Sequence, residues 1–290
     1  MKFILTIALL LAPALLYADD APLNVWPDLA PGETTRLTGI KLPTKNPSIT
    51  LMAKVTQPTF TVHPAAKPNG TGVVILPGGG FSRVVPGHEG TDAADFLNRI
   101  GVTVFVLSYR TRNSPADSGW EKPLQDAQRT MAIVRSRAAE WNLEKDKIGL
   151  LGFSAGGQIA ARLLAADGKL AYEPIDEIDK TQYRPDFALL IYPWNIYDQE
   201  KDDLIDGVSV PENCPPTFLV HTDDDKSSSL GSVLFYAGLK RQGIPAELHV
   251  YGNGGHGYGV RPRGNSEIAT WTGHAAHWLT RWIKSQITKG

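Results

Sequence analysis

The chain has 290 residues, with 29 Lys plus Arg against 30 Asp plus Glu, a formal net charge of −1, 42% hydrophobic and 20% charged residues. That is the composition of a globular protein, and its near-neutrality excludes the broad positive surface that nucleic acid or a polybasic membrane contact requires. The single cysteine, Cys214, has no partner for an internal disulfide, so the fold must be held by its own core, which this length can supply.

Met1-Lys2, the almost continuously apolar run 3–16 and the step Tyr17-Ala18-Asp19-Asp20 read as a secretory signal peptide cleaved after Ala18. The alternative, a membrane anchor, would need about 20 apolar residues to span, more than this run offers, although Leu16 departs from the small residue usual before a cleavage site. The expected product is secreted or periplasmic, with no stable membrane association after cleavage. Residues 19–50, rich in Pro, Gly and Thr, are expected to wrap the surface of one domain spanning 51–290. Residues 51–56 and 60–62 read as short antiparallel strands around a turn at Gln57-Pro58.

From there the pattern alternates. Short apolar runs at 72–76, 102–108, 147–151, 187–192, 217–221 and 246–251 read as buried strands, and 91–100, 123–141, 155–166, 228–242 and 266–285 as helices. In the second helix Leu124, Ala127, Met131, Val134, Ala138 and Trp141 form one apolar stripe, and Pro123 suits its start. Alternating β and α predicts an α/β fold, a mostly parallel central sheet with helices on both faces and no large cap. Ligands collect at the carboxyl ends of the strands of such a sheet, so the residues following each strand carry the information.

After the third of these strands comes Gly152-Phe153-Ser154-Ala155-Gly156, the G-x-S-x-G of a nucleophile elbow, in which small residues let strand and helix approach closely while the serine is lifted into a pocket. The bare pattern is short enough to recur by chance; its weight comes from lying between a strand and a helix. After the first strand comes Pro77-Gly78-Gly79-Gly80-Phe81. A dinucleotide fingerprint would need glycine where Arg83 stands, and no Walker sequence follows. An ordinary turn is one reading. The other is an oxyanion loop, whose glycine amides approach a developing alkoxide without Cβ interference; Gly79 and Gly80, with Ala155, are then the donors. Asp223-Asp224-Asp225 after the 217–221 strand could be a solvated helix start. His256, between glycines, follows the last strand. Serine, aspartate and histidine in that order, each behind its own strand, is the order of a hydrolase triad.

These motifs, together with His88-Glu89-Gly90, Leu107-Ser108-Tyr109-Arg110, Pro123-Leu124-Gln125-Asp126-Ala127-Gln128-Arg129, Tyr192-Pro193 and His249-Val250-Tyr251, resemble α/β-hydrolase-fold carboxylesterases of the acetyl xylan esterase-like and lipase-like branch, from about residue 72 to 258. The resemblance implies a triad of Ser154, Asp225 and His256. Asp225 is four residues beyond His221, where the family's acid usually lies. The Val-Val-Pro that normally follows is missing here, so Asp224 stays open. Gln158 stands where relatives commonly carry His, which bears on binding beside the nucleophile.

No metal or organic cofactor is expected. His88-Glu89-Gly90-Thr91-Asp92 lacks the second His of a zinc helix, and Glu89 is read as capping or orienting the glycine loop. His274 and His277 read as a helix face, Asp223–Asp225 lacks the spacing of a calcium loop, and Cys214 has no adjacent base in sequence. Phe81, Gln158 and Trp194 are candidate substrate contacts; Trp194 could stack on a sugar or simply pack. The polar stretch 193–213 is expected to rim the pocket. The function implied is hydrolysis of short acyl esters, O-acetyl on plant polysaccharide such as xylan foremost, with another short-chain or feruloyl ester next. A serine exopeptidase or a non-catalytic binding module are the remaining alternatives.

Overall fold

The computed structural model describes residues 21–46 and 48–287; the expected signal peptide, residues 1–18, lies outside them. Among the described residues the central sheet has eight strands: β1 (Leu23–Asn24), β2 (Thr59–His63), β3 (Gly72–Leu76), β4 (Thr103–Ser108), β5 (Ile148–Phe153), β6 (Ala188–Ile191), β7 (Thr217–Thr222) and β8 (Ala246–Tyr251). Their spatial order is β1-β2-β4-β3-β5-β6-β7-β8. β1 and β2 run antiparallel to their neighbours, and the other six are parallel.

Residues alternate across the sheet, as a period of two demands. Val74 and Leu76 of β3 and Leu150 of β5 join one core layer; Val73, Ile75 and Leu151 join the other. Helices α2 (Glu121–Ser136), α3 (Ala155–Ala165) and α4 (Leu230–Arg241) cover the first layer, while α1 (Asp92–Arg99) and α5 (Trp271–Ile287) cover the second. The stripe expected from Leu124 to Trp141 is buried throughout. Its helix starts two residues before Pro123 and its last turn tightens to a 3₁₀ segment, Ala138–Trp141.

The expected hairpin about Gln57-Pro58 does not form. Leu51–Ala53 pairs with Ile40–Leu42 and Arg83–Val84 in a separate three-stranded sheet, and β2 pairs with β1 and β4. Burial decides it. Against β4, Phe60 lies opposite Leu107 and meets Phe105 and Trp141 edge-on, whereas Leu51 and Met52 are only half-buried. The amides of Thr56 and Gln57 both donate to the Leu37 carbonyl, at 2.8 and 2.9 Å, so the turn joins two sheets.

The segment before residue 50 also does more than run over the surface. Trp26 is fully buried and its indole donates to Asp126 Oδ1 at 2.8 Å. The same carboxylate accepts from the Arg110 amide (2.8 Å) and Arg110 Nε (2.9 Å), while Arg110 Nη1 reaches the Pro31 carbonyl at 2.6 Å. Arg129 Nε donates to the Val25 carbonyl at 2.9 Å and ion-pairs with Asp176 and Asp179. Two motifs that carried the family resemblance, around Arg110 and from Pro123 to Arg129, thus anchor the N-terminal segment to α2. Both members of the Arg110–Asp126 pair have fully buried side chains, and removing Asp126 leaves the buried guanidinium with only Glu33, at 3.9 Å, as a carboxylate partner among the described residues. Asp126→Ala is expected to cost about 3–5 kcal/mol, read in thermal unfolding as a Tm lowered by about 10 °C; an unchanged Tm would remove the pair from the account of stability.

Candidate active site

The site begins with a packing demand. β5 leads into α3 so closely that a Cβ on Gly152 would lie 2.4 Å from the Gly156 carbonyl oxygen, and one on Gly156 would lie 2.0 Å from that of Leu76. Only glycine fits there. The turn between them forces Ser154 to φ 52°, ψ −118°, a region that costs a non-glycine residue about 1–3 kcal/mol. The strain is held by three backbone hydrogen bonds: the Ser154 amide donates to Ile191 O at 3.0 Å, and its carbonyl accepts from Gln158 N and Trp194 N at 3.0 and 2.9 Å.

Ser154 Oγ lies 2.6 Å from His256 Nε2, and His256 Nδ1 lies 2.7 Å from Asp225 Oδ2. The tautomer that satisfies both carries its proton on Nδ1, donates it to Asp225 and accepts from the serine hydroxyl. Asp225 is buried. Desolvation alone would raise its pKa, but hydrogen bonds from His221, His256 and the Ser227 amide hold the carboxyl well below the usual carboxylate range. Asp224, the other candidate acid, is exposed and turned away: its oxygens accept from Gly255 N and Gly254 N at 2.8 and 3.2 Å. It braces the loop that carries His256 without touching the ring.

Glu89 knits three strand ends together. One carboxylate oxygen accepts from Gly78 N at 2.8 Å, at the start of the glycine loop. The other accepts from Tyr192 OH at 2.8 Å, and that hydroxyl accepts in turn from Gly259 N at 2.8 Å, three residues beyond His256. Burial raises the Glu89 pKa, against the hydrogen bonds from Tyr192 and Gly78. His88, the neighbour that suggested a metal helix, instead donates Nε2 to the Gly257 carbonyl at 3.1 Å and packs under Gly259, where a Cβ would be 2.8 Å from its ring.

Ser154 and His256 open into a cavity of about 360 Å³ lined also by Gly79, Gly80, Trp194 and Lys226. Ala155 is the first residue of α3, where helix amides lack intrahelical partners. Trp194 meets the His256 ring edge-on at 4.9 Å, and the Lys226 ammonium sits 5.0 Å from the centre of its indole, so that face is already occupied. Gln158 and Phe81 are not among the lining residues. Gln158 is buried and donates to the carbonyls of Trp194 and Asn195 at 2.8 and 3.3 Å, beneath the turn rather than facing the cavity; Phe81, half-buried, packs against the first core layer. The stretch 193–213 contributes only Trp194. Its hairpin, Tyr197–Asp198 with Asp203–Leu204, packs on α4. The rim is built instead by Thr44, Ile49, Leu51 and Arg83, from the small sheet and its approaches. Nothing in their sequence spacing marks the first three; for Arg83, the residue that breaks a dinucleotide fingerprint, the signal is its place three residues after the glycine loop.

The BD-FAE family model matches residues 61–186. An acetylxylan esterase of Xylanibacter ruminicola is 28% identical over 216 residues, which is 66% of this chain and 42% of the relative. An endo-1,4-β-xylanase B of Butyrivibrio fibrisolvens is 30% identical over 213 residues, 65% of this chain and 32% of the relative. The chain therefore spans less than half the length of these relatives. Among solved structures, an acetyl ester-xyloside bifunctional hydrolase from Caldicellulosiruptor lactoaceticus superposes with a TM-score of 0.69 and 27% identity, over 90% of this chain and 96% of that one. A carboxylesterase of Lactobacillus plantarum, at 19% identity and a TM-score of 0.64 over 84% of this chain and 96% of that one, shares the fold. The chain has the α/β-hydrolase fold, and over about two thirds of its length its sequence is similar to that of an acetylxylan esterase.

The Glu89 bridge has a direct consequence. Glu89→Gln replaces one acceptor oxygen with an N–H₂, so either the Gly78 amide or the Tyr192 hydroxyl hydrogen is left buried without its acceptor. The expected cost is about 2 kcal/mol, a Tm lower by about 5 °C in a thermal melt; a melt superimposable on that of the parent would show that the bridge is not needed.

Proposed function

We propose that this protein is an exported serine carboxylesterase that removes short acyl groups, O-acetyl above all, from xylan-like polysaccharide. The observation that carries the reading is the unbroken relay from Ser154 Oγ through His256 to a buried, ionised Asp225, at 2.6 and 2.7 Å, opening on a cavity beside Gly79 and Gly80. In the proposed reaction Ser154 Oγ attacks the acyl carbonyl as His256 Nε2 takes its proton. Asp225 holds the imidazole in the required tautomer and stabilises the imidazolium. The amides of Gly79, Gly80 and Ala155 receive the oxyanion, each donor worth about 3 kcal/mol in the transition state. His256 then protonates the departing sugar alcohol. Water, deprotonated by the same imidazole, attacks the acyl-enzyme and releases the acid.

The substrate class rests on the relatives, one named for acetylxylan, one for xylan and one for an acetyl ester and a xyloside. Export rests on the sequence of residues 1–18. Esters of other short acids fit the same chemistry and are compared in the same assay.

Initial rates on p-nitrophenyl acetate, butyrate and octanoate, beside acetate release from acetylated xylan, test this directly. Acetate is expected to be the fastest of the three, with acetate released from xylan and both activities lost in Ser154→Ala; rates that survive that substitution would refute the nucleophile. The two aspartates are expected to separate. Asp225→Asn should lower kcat by about 10⁴, the cost of a wrong tautomer in an established triad, while Asp224→Asn should lose less than about tenfold, because it acts through the loop. A large loss in Asp224→Asn with a small one in Asp225→Asn would reverse the assignment.

A further inference from the structure

We propose that Arg83 and Lys226 form a carboxylate-binding subsite at the mouth of this cavity, so that the preferred ester carries a carboxylate near the acyl group. The inference rests on the esterase reading and names its substrate more closely. Both residues line the same cavity as Ser154 and His256, from opposite origins. Arg83 belongs to the small sheet, where it pairs with Ala53, and its backbone is pressed under the glycine loop: a Cβ on Gly79 would lie 2.1 Å from the Arg83 carbonyl oxygen. Lys226 follows the triad acid directly and holds its ammonium over Trp194, whose indole touches the His256 ring.

Among the described residues neither cation has a carboxylate within 4 Å, while most arginines of the chain do. Arg263 adds a third positive charge nearby, donating only to the carbonyls of His256 and Gly257. The one carboxylate on the cavity wall, Glu89, is turned inward with both oxygens committed to Gly78 and Tyr192. A chain of net charge −1 thus places cations without carboxylate partners at its proposed reaction centre. Such an arrangement concentrates anions and favours a bidentate carboxylate on the guanidinium. The carboxylate can sit on the sugar side of the ester, as in a uronic acid branch, or on the acyl side, as in a dicarboxylic half-ester; the recognition chemistry is shared.

Two measurements test the subsite. In the first, acetylated xylo-oligosaccharides with and without a uronic acid branch are titrated calorimetrically into Ser154→Ala, where a bound ester is not consumed. In the second, kcat and KM of the unaltered protein are measured for the same pair, and for mono-p-nitrophenyl succinate against p-nitrophenyl butyrate, at low and high salt. The expected result is a preference of about tenfold for one carboxylate-bearing member, equivalent to about 1.4 kcal/mol. It should lie in KM rather than kcat, fade at high salt, and fall to near unity in Arg83→Gln/Lys226→Gln. A preference for the branched oligosaccharide assigns the carboxylate to the sugar side, and one for the succinyl ester to the acyl side. Equal binding and equal kcat/KM across both pairs, or a preference that survives the double substitution, overturns the subsite while leaving ester hydrolysis intact. Preferential binding with no Ser154-dependent turnover of any ester would do the reverse.

Discussion

Everything at the cavity end of this molecule depends on how closely β5 and α3 approach. Two glycines, Gly152 and Gly156, let the strand and helix backbones meet where a single added carbon would overlap a carbonyl. The price of that approach is a serine held at φ 52°. The strain persists because its surroundings over-determine it: the Ser154 amide is fixed by β6 and its carbonyl receives two donors. One of those donors is Trp194, so the same hydrogen bonds that hold the strained turn also position the wall of the cavity. Relaxing the turn would move both the hydroxyl and the surface a substrate meets.

A second layer of organisation lies beneath the cavity. Loops following parallel strands have no reason of their own to keep register with one another, because the sheet fixes only the strands. Here a buried carboxylate supplies the link, with Glu89 joining the glycine loop after β3 to Tyr192 after β6, and through its hydroxyl to Gly259 beyond β8. Asp224 plays a parallel part on the surface, tying the loop after β7 to the glycines before His256. Acidic side chains thus hold the site together through backbone amides, while Asp225 alone among them meets the imidazole. The carboxylates being spent inward, the charges left facing the cavity mouth are positive.

The motifs that carry the family resemblance divide by task once the fold is seen. Those at strand ends converge on the cavity. Those around Arg110, Asp126 and Arg129 bind Trp26, Val25 and Pro31, so a segment that composition alone marks as surface wrapping adds an edge strand and a buried tryptophan to the core. Its residues are too few and too mixed in polarity to announce burial; the partners that bury them are about a hundred positions away in sequence.

The sequence by itself determined the alternation of strands and helices, the two-faced burial of the sheet, and the strand ends at which serine, aspartate and histidine stand, because each of these is written in local periodicity and in the chain order of a few residues. It did not determine which strands pair: residues 51–53 and 59–63 are neighbours in the chain, yet they enter different sheets because Phe60 finds its buried partners, Phe105 and Leu107 of β4 with Trp141, at the main sheet. Nor did it determine which of two adjacent aspartates faces His256, or that Gln158 turns under the Trp194 loop while Arg83 and Lys226 reach the cavity. Those are matters of direction and of contact between distant segments. Local pattern sets what a residue can do, and only the packed tertiary structure sets what it can touch.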